Sequence, residues 1–321
     1  MGAAEERLEA IPLLPRRRLI GSVFGGHASL RRGQGFDVAG SRPYRPGDHY
    51  HSIDWKSSAR LSSLRDNDEF IVRERHAEEM ARVVIVCDRR PELGLYPASL
   101  PWLHKPLAVR RIVGLIARSA VNQRGLVGYL DYGSHEGENE AGTPFWRPPR
   151  AQASFWQGET ADVTVGYLDG GLDAPQDSLS LALDFIAVVG GVVTSGSFVF
   201  VVSDFLVGPT PAEWSSLAET GYDVVPVIVQ EPVWEQSFPP LGGVLVPIVD
   251  ARDGKLLHVR MSEREADDRR VAHEERLRSL LQGFEDLGLD SILISSHEPD
   301  AIRAAFLEWA EYRMSLRGLP A

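Results

Sequence analysis

Apolar runs of strand length alternate with helical segments from Arg82 to the C-terminus, and this alternation restricts the possible folds most strongly. Residues 82–88 form a continuous apolar run ending in Asp88, which is typical of a strand covered on both faces. Residues 108–124 follow with apolar side chains at helical spacing, and Gly125 ends that helix. Strands separated by helices pair in parallel through crossover connections, so the sequence predicts an α/β protein with a doubly wound, mostly parallel sheet.

The remaining elements follow from the same patterns. Strands are predicted at 126–132, 198–204, 223–229 and 291–294, and helices at 179–189, 211–220, 264–287 and 299–316. Two segments interrupt the alternation: residues 133–152 are expected to leave the sheet, and residues 244–260 are expected to form a hairpin around Asp253-Gly254. The first eighty residues are glycine-rich with few apolar runs. We therefore predict a small β-rich N-terminal domain (1–80) and an α/β domain (81–321), with the boundary near Ala81.

Charge and cysteine content exclude several classes of protein. The formal net charge of −11 repels phosphate backbones, so no nucleic-acid partner is expected. The single cysteine, Cys87, cannot form an intramolecular disulfide and is predicted to be a buried strand residue. The acidic N-terminus does not resemble a signal peptide, and glycines interrupt the apolar stretch 186–202. A cytoplasmic protein without a transmembrane segment is expected.

Sequence motifs of common enzymes are missing. The chain contains no G-x-x-x-x-G-K-[ST] phosphate loop, no H-E-x-x-H and no nucleophile elbow. The glycines of Gly33-Gln34-Gly35 do not continue into a dinucleotide fingerprint. We therefore expect a protein that is not an enzyme, so any ATP hydrolysis would come from a partner.

The most distinctive segment lies between residues 42 and 60. It contains arginines, aromatic residues and a Pro-Gly-Asp turn, and residue types of this kind pair, stack and anchor interfaces. The candidate binding residues are Arg42, Tyr44, Gly47, Asp48, Asp54, Trp55 and Arg60. The alternative interpretation is structural: Asp54 and Arg60 form a salt bridge, and Trp55 fills the seam between the two domains.

This segment resembles a known family. The pattern R-x-Y-x-P-G-D, then I-D-W, then A-R, preceded by Gly33-Gln34-Gly35 and followed by a strand ending in Asp88, is similar to the bacterial "domain of unknown function 58" proteins. The resemblance covers most of the chain and implies a von Willebrand factor A-like fold. It also implies a MoxR-type AAA+ ATPase as partner, with a role in maturing a client complex such as a methanol oxidation system.

The resemblance raises the question of a metal ion. In the family pattern an Asp-x-Ser-x-Ser strand end and a later aspartate gather oxygen ligands around magnesium, and Asp88 and Asp204 match the two acids. The hydroxyl positions are instead Arg90 and Glu92, so the site is degenerate. We expect a metal-free edge held by an Arg90 ion pair; the alternative is Mg²⁺ bound by Asp88 and Asp204, with Ser203 or Glu92.

Histidines within the signature offer a second metal hypothesis. His49 and His51 share one strand face near Asp48 and Asp54, but no further histidine or cysteine lies close by to complete a site. They also stand where relatives usually have an acid and an arginine. Exposed or hydrogen-bonded histidines are the alternative, and no resident cofactor is expected.

Three functions remain open from sequence alone. The first is an adaptor that binds a MoxR-type ATPase or its client through the segment 42–60 and a rim formed by Asp88, Arg90 and Asp204. The second is a divalent-metal-dependent hydrolase that uses the strand-end aspartates. The third is a structural subunit of a larger assembly. The adaptor is the function that we predict.

Overall fold

The computed structural model describes residues 9–16, 32–44, 53–56, 58–59, 70–76, 82–96, 99–123, 125–149, 170–189 and 193–317. Near the N-terminus, β1 (Arg32–Pro43) and β2 (Ile71–His76) pair antiparallel. The signature residues Arg42 and Tyr44 lie in and directly after β1. Beyond residue 81 the alternation of strands and helices predicted from the sequence is present.

The centre of the molecule is a six-stranded sheet. Its strands are β3 (Arg82–Cys87), β4 (Leu126–Asp131), β5 (Phe145–Arg147), β6 (Phe198–Ser203), β7 (Asp223–Val229) and β10 (Ile292–Ile294). They are arranged in the order β10-β7-β6-β3-β4-β5, and every neighbouring pair is parallel except β4 and β5. The chain starts in the middle of the sheet, builds one half and then crosses to build the other, as in a doubly wound fold.

Helices cover both faces of the sheet. They are α1 (Lys105–Asn122), α2 (Ser178–Val188), α3 (Pro211–Glu219), α4 (Glu263–Asp286) and α5 (Pro299–Arg317). On one face α1 and α5 bury residues such as Ile112 and Phe306 against the strands. On the other face α2, α3 and α4 contribute Leu183, Leu217 and Phe284 to a second core. Two apolar layers around one parallel sheet confirm the α/β class and are consistent with a von Willebrand factor A-like fold.

One excursion from the sheet was predicted too broadly. Residues 133–152 were expected to leave the sheet, but Phe145–Arg147 return as β5 and pair antiparallel with β4. A three-residue edge strand is too short to show a period of two in the sequence. The expected hairpin is present: β8 (Leu245–Val249) and β9 (Leu256–Arg260) pair antiparallel, and Gly254 in the turn has φ +69°.

The N-terminal segment contributes to the core of the α/β domain. Ile11, Leu13 and Leu14 are buried within the core on the α1 and α5 face. The backbone N–H of Ile11 donates to the Ser119 hydroxyl at 3.0 Å. The boundary near Ala81 stays a prediction, but residues 9–16 share the core of the domain beyond it.

Cys87 is buried, as predicted. Burial raises the pKa of its thiol to about 12, so it is no nucleophile at neutral pH.

Among the described helices, none has the length and apolar content needed to cross a membrane.

A buried arginine joins the C-terminal helix to the sheet. Arg313 donates to both carboxylate oxygens of Asp223 at 2.8 and 2.9 Å, to Asp290 at 3.0 Å and to the Leu14 carbonyl at 2.9 Å. Its guanidinium also lies 4.3 Å from the centre of the Trp309 ring. One side chain therefore links α5, the start of β7, the approach to β10 and the N-terminal segment.

We predict that Arg313→Ala lowers the free energy of unfolding by about 3–5 kcal/mol, because it leaves the buried Asp223 without its cation and leaves Asp290 only the more exposed Arg16, 3.3 Å away. Urea unfolding followed by circular dichroism measures the loss. The matched control is Arg264→Ala, since the Arg264 side chain is 91% exposed beside Asp268 and its removal should leave stability unchanged within error. Equal stability of the two variants would contradict the role assigned to Arg313.

Candidate functional site

The two aspartates predicted from strand ends lie side by side at the centre of the sheet. Asp88 follows β3 and Asp204 follows the neighbouring parallel strand β6. The connections that leave these two strands run to opposite sides of the sheet, which makes this the topological switch point where open α/β sheets form a crevice. The backbone N–H of Asp88 donates to the Val202 carbonyl at 2.9 Å, which holds the two strand ends in register.

Arg90 compensates the first aspartate. Its Nη2 lies 2.6 Å from Asp88 Oδ2 and its Nε lies 3.0 Å from both carboxylate oxygens. The Ser203 hydroxyl donates to Asp88 Oδ2 at 2.7 Å, and the Arg90 backbone N–H donates to Oδ1 at 2.9 Å. The same Arg90 Nη2 stands 3.7 Å from Asp204. The guanidinium thus lies between the two acids at the switch point.

Lys105 compensates the second aspartate. Its Nζ donates to Asp204 Oδ2 at 2.9 Å and to Glu235 Oε1 at 2.5 Å. Lys105 is the first residue of α1, and Glu235 lies in the π-helical turn Pro232–Gln236 that follows β7. Burial alone would lower the pKa of Lys105, but attraction by Asp204 and Glu235 outweighs it and raises the pKa. Lys105 therefore stays charged at neutral pH.

Sequence reasoning did not find Lys105 or Glu235. A signal for the lysine exists: a cation in the first turn of a helix opposes the helix dipole, and the chain has only three lysines among its 34 basic residues. A lysine at this position therefore suggests that it forms ion pairs with acidic side chains. Glu235 gives no comparable signal because it lies in an irregular turn.

The five groups form one buried ionic network, which we call the switch-point network: Asp88, Arg90, Lys105, Asp204 and Glu235. Burial raises the pKa of Glu235, and the nearby Lys105 opposes this shift. The ring of Tyr96 lies 5.8 Å from Lys105 Nζ and contacts Trp102 edge-on. Trp102 in turn contacts Trp234, so aromatic side chains adjoin the network.

The residues at the switch point do not fit a divalent ion. Both aspartates are already bonded to side-chain cations, and the Ser203 hydroxyl donates its proton to Asp88. Within the described ranges, no three His, Cys, Asp or Glu residues are grouped as metal ligands. A cation at this place would have to displace Arg90 and Lys105. The geometry therefore supports the expectation of an edge held by ion pairs.

One part of the predicted binding surface is wrong. Asp88, Arg90 and Asp204 were expected to form an exposed rim that contacts a partner. The structure brings them together, but their exposed fractions are 2%, 2% and 1%. Buried carboxylates are stable only when cations and hydrogen bonds surround them, and both aspartates have such partners here. In this conformation the network supports the sheet edge and offers no contact surface.

The signature segment places aromatic side chains on the surface. Tyr44, Trp55 and Phe70 are 39%, 61% and 43% exposed, and we call these three residues the aromatic group. The Trp55 and Phe70 rings meet edge-on at 5.9 Å, and the Tyr44 N–H donates to the Phe70 carbonyl at 2.8 Å. Trp55 does not fill a seam. Asp54 is buried, and its N–H donates to the Ile71 carbonyl.

Several predicted residues fall on parts of the chain that the structure does not describe. Gly47, Asp48 and Arg60 of the signature, and the histidines His49 and His51, lie outside the described residues. Their assignment to a binding or metal site stays a prediction.

A second buried polar cluster lies at the end of β4. Asp131 accepts hydrogen bonds from Arg89 at 3.0 Å and from Tyr129 at 2.8 Å, and the His135 ring nitrogen lies 3.0 Å away. His135 stacks on Phe145 of β5 with a ring separation of 3.7 Å. This cluster fixes the edge strand, and the sequence analysis did not identify it.

A cavity of about 200 Å³ adjoins the switch point. Its lining includes Asp88, Arg89, His104 and Arg110. Burial lowers the pKa of His104, as do the nearby charges of His297 and Arg110. The cavity is smaller than the roughly 300 Å³ at which small-molecule sites usually begin.

The fold and the site together define the class: an α/β protein of von Willebrand factor A-like topology whose strand-end acids are neutralised by its own arginine and lysine. No protein-family model matches the chain, and no curated protein sequence matches it.

Solved structures of low identity do match. The conserved hypothetical protein BatB from Bacteroides thetaiotaomicron is 15% identical, with 72% of this chain and 99% of that chain covered and a TM-score of 0.37. An aerotolerance-related membrane protein from Bacteroides fragilis NCTC 9343, carrying multiple mutations to serines, gives the same four values. The pilus adhesin SpaC from Lactobacillus rhamnosus GG is 12% identical, with 74% and 30% covered and a TM-score of 0.42. At TM-scores this low the similarities carry no argument about function.

We predict that Lys105→Met lowers the free energy of unfolding by about 3–5 kcal/mol, because the buried Glu235 then loses its cation and Asp204 keeps only Arg90, 3.7 Å away. Adding Glu235→Gln should recover at least about 1 kcal/mol, since it removes one of the two buried charges. Urea unfolding of the single and double variants measures both effects. The control Lys255→Met removes a lysine that is 78% exposed and should change nothing measurable. A fully stable Lys105→Met variant would contradict the network.

Proposed function

We propose that this protein is a cytoplasmic, non-catalytic adaptor that binds a MoxR-type AAA+ ATPase and assists the maturation of a client complex. The proposal combines the resemblance of its signature to the "domain of unknown function 58" proteins with the geometry of the switch point. The observation that carries it is the position of Arg90 and Lys105. They stand where the family pattern gathers metal ligands, and they pair with every acid of the switch-point network, so that none of these acids is left unpaired for hydrolytic chemistry.

A binding role places the contact surface away from the switch point. The aromatic group is the best candidate within the described part of the signature, because Trp and Tyr side chains dominate the energies of protein interfaces. Trp55 is the largest of the three residues and the most exposed. A single exposed tryptophan is common in monomeric proteins, but a Trp–Phe contact beside an exposed Tyr gives a partner an anchor of some size.

We predict that Trp55→Ala weakens binding to the MoxR-type ATPase of the same organism by about tenfold or more, as expected for loss of an aromatic anchor. Biolayer interferometry on the immobilised protein, with ATP or ADP present, measures the Kd. Tyr312→Ala is the matched control, because Tyr312 is a 51% exposed aromatic residue on α5. Unchanged affinity of Trp55→Ala would remove the aromatic group from the interface, and absence of any ATPase binding would end the adaptor proposal.

We also predict that the protein itself binds no divalent ion at the switch point. Calorimetric titration with Mg²⁺, Mn²⁺ and Zn²⁺ should give no saturable heat, because side-chain cations already neutralise Asp88 and Asp204. Asp88→Ala and the exposed Asp253→Ala would be titrated in parallel. Saturable metal binding that disappears only in Asp88→Ala would favour the metal-dependent hydrolase instead.

A further inference from the structure

The hairpin of β8 and β9 exposes an unusual amount of aliphatic surface. Within the part of the chain that the structure describes, the two strands form a sheet of their own. Six large aliphatic side chains between 40% and 61% exposed lie on or beside it: Val244, Leu245, Ile248, Val249, Leu256 and Leu257. An isolated two-stranded ribbon with apolar side chains on both faces is marginal in water, so such a patch indicates an interaction site.

The ribbon is held to the body of the protein at both ends. At its base, Val259 packs on a small cluster that contains Phe238 and Met261. At its tip, Arg252 donates to Glu92 from Nε at 3.0 Å and from Nη2 at 2.8 Å. These anchors fix the direction of the strands, so an edge that they present is ordered before a partner arrives.

The two outer edges of the ribbon differ in their hydrogen-bonding capacity. The Asp250 N–H donates to the Lys255 carbonyl across the ladder, so this pair is hydrogen-bonded. Hydrogen-bonded and non-hydrogen-bonded pairs alternate along an antiparallel ladder. Pro247 and His258 form the third pair along the ladder from Asp250 and Lys255, so they are a non-hydrogen-bonded pair. Their main-chain groups point away from the ribbon.

Among the described strands, this alternation blocks the outer edge of β8 and leaves the outer edge of β9 unpaired. Pro247 has no N–H, so the outer edge of β8 cannot support a regular ladder with a third strand. On β9 the outward main-chain groups belong to Leu256, His258 and Arg260, which all carry an N–H. Proline on an exposed edge is a common protection against strand addition. Here only β8 carries that protection.

We propose that the outer edge of β9 is a docking site for an extended segment of a partner polypeptide in which acidic and aliphatic residues alternate. This inference rests on the proposed function, because it names the way in which the protein holds another chain. The partner strand would extend the ribbon by main-chain hydrogen bonds, and the side chains of β9 would select its sequence.

Charge selects the chemistry of the partner. On one face β9 presents Arg260 with His258 and Leu256, and on the other it presents Leu257, since Val259 packs on the body of the protein. Acidic side chains of an added strand would lie beside Arg260 and an aliphatic side chain beside Leu257. A second copy of the protein fits less well, since β9 contains no acid that could pair with Arg260 of the other copy. A lipid surface fits less well, because hydrocarbon offers no hydrogen bonds to the open edge.

The test uses the full chain and a fluorescein-labelled peptide in which Glu and Val alternate over seven residues. Fluorescence anisotropy should show saturable binding. A Lys–Val peptide of the same length should bind about tenfold more weakly or worse, because its charges repel the Arg260 guanidinium. A Glu–Val peptide with alternate backbone nitrogens methylated should lose binding by a similar factor, because it cannot complete the ladder.

Protein variants locate the site. His258→Pro removes one outward N–H without touching the β8–β9 ladder and should weaken peptide binding about tenfold or more. Pro247→Ala is the matched control and should bind the peptide at least as tightly as the native protein. Arg260→Glu should reverse the preference between the Glu–Val and Lys–Val peptides. If circular dichroism shows that His258→Pro is misfolded, Arg260→Glu and the methylated peptide carry the test.

Each contrary outcome overturns the inference. Equal binding of the two charged peptides would do so, as would unchanged peptide binding by His258→Pro. A dimer in light scattering that His258→Pro abolishes would point to a second copy instead. Sedimentation with phosphatidylglycerol vesicles that the Glu–Val peptide does not reduce would point to a lipid surface. The two proposals fail separately. Peptide binding without ATPase binding would refute the adaptor's named partner and leave the β9 site standing, whereas ATPase binding without peptide binding would refute the β9 site alone.

Discussion

The structure depends on charge compensation at the middle of its sheet. A doubly wound sheet that starts at its centre brings the ends of β3 and β6 together, and in this chain both ends carry an aspartate. Two desolvated carboxylates at one place repel each other and require a cation. A bound metal would be one solution, and the chain uses another. Arg90 lies two residues beyond Asp88, and Lys105 enters from the first turn of α1.

This solution changes what the sheet edge can do. A metal ion with an open coordination position can bind a carboxylate of another protein. A guanidinium and an ammonium with satisfied hydrogen bonds can do so only by breaking the bonds to their own carboxylates. The acids therefore fix the loops that follow β3 and β6. Under the proposed adaptor function, recognition would use other surfaces, and the described residues offer two: the aromatic group beside β2 and the ribbon of β8 and β9.

Sequence reasoning recovered the elements better than the contacts. Strands such as β7 (Asp223–Val229) and helices such as α4 (Glu263–Asp286) were predicted to within about one residue, because apolar periodicity is a local signal. Asp88 and Asp204 were also placed together correctly, since parallel strands end at one edge. Their burial and the roles of Lys105 and Glu235 could not be predicted, because they arise between elements far apart in sequence. The short strand β5 was missed because three residues carry no period.

Two residues of the loop that follows β3 form ion pairs within the protein. Arg90 and Glu92 stand at the positions where the pattern that the sequence resembles has hydroxyl ligands, and each pairs with a charged side chain. Arg90 neutralises Asp88. Glu92 accepts two hydrogen bonds from Arg252 at the tip of the ribbon. This exposed pair contributes little stability on its own, but it positions the tip of the ribbon beside the loop that follows β3. The loop that follows β3 therefore contributes to the network through Arg90 and holds the tip of the ribbon through Glu92, and β9 of that ribbon carries the proposed docking edge.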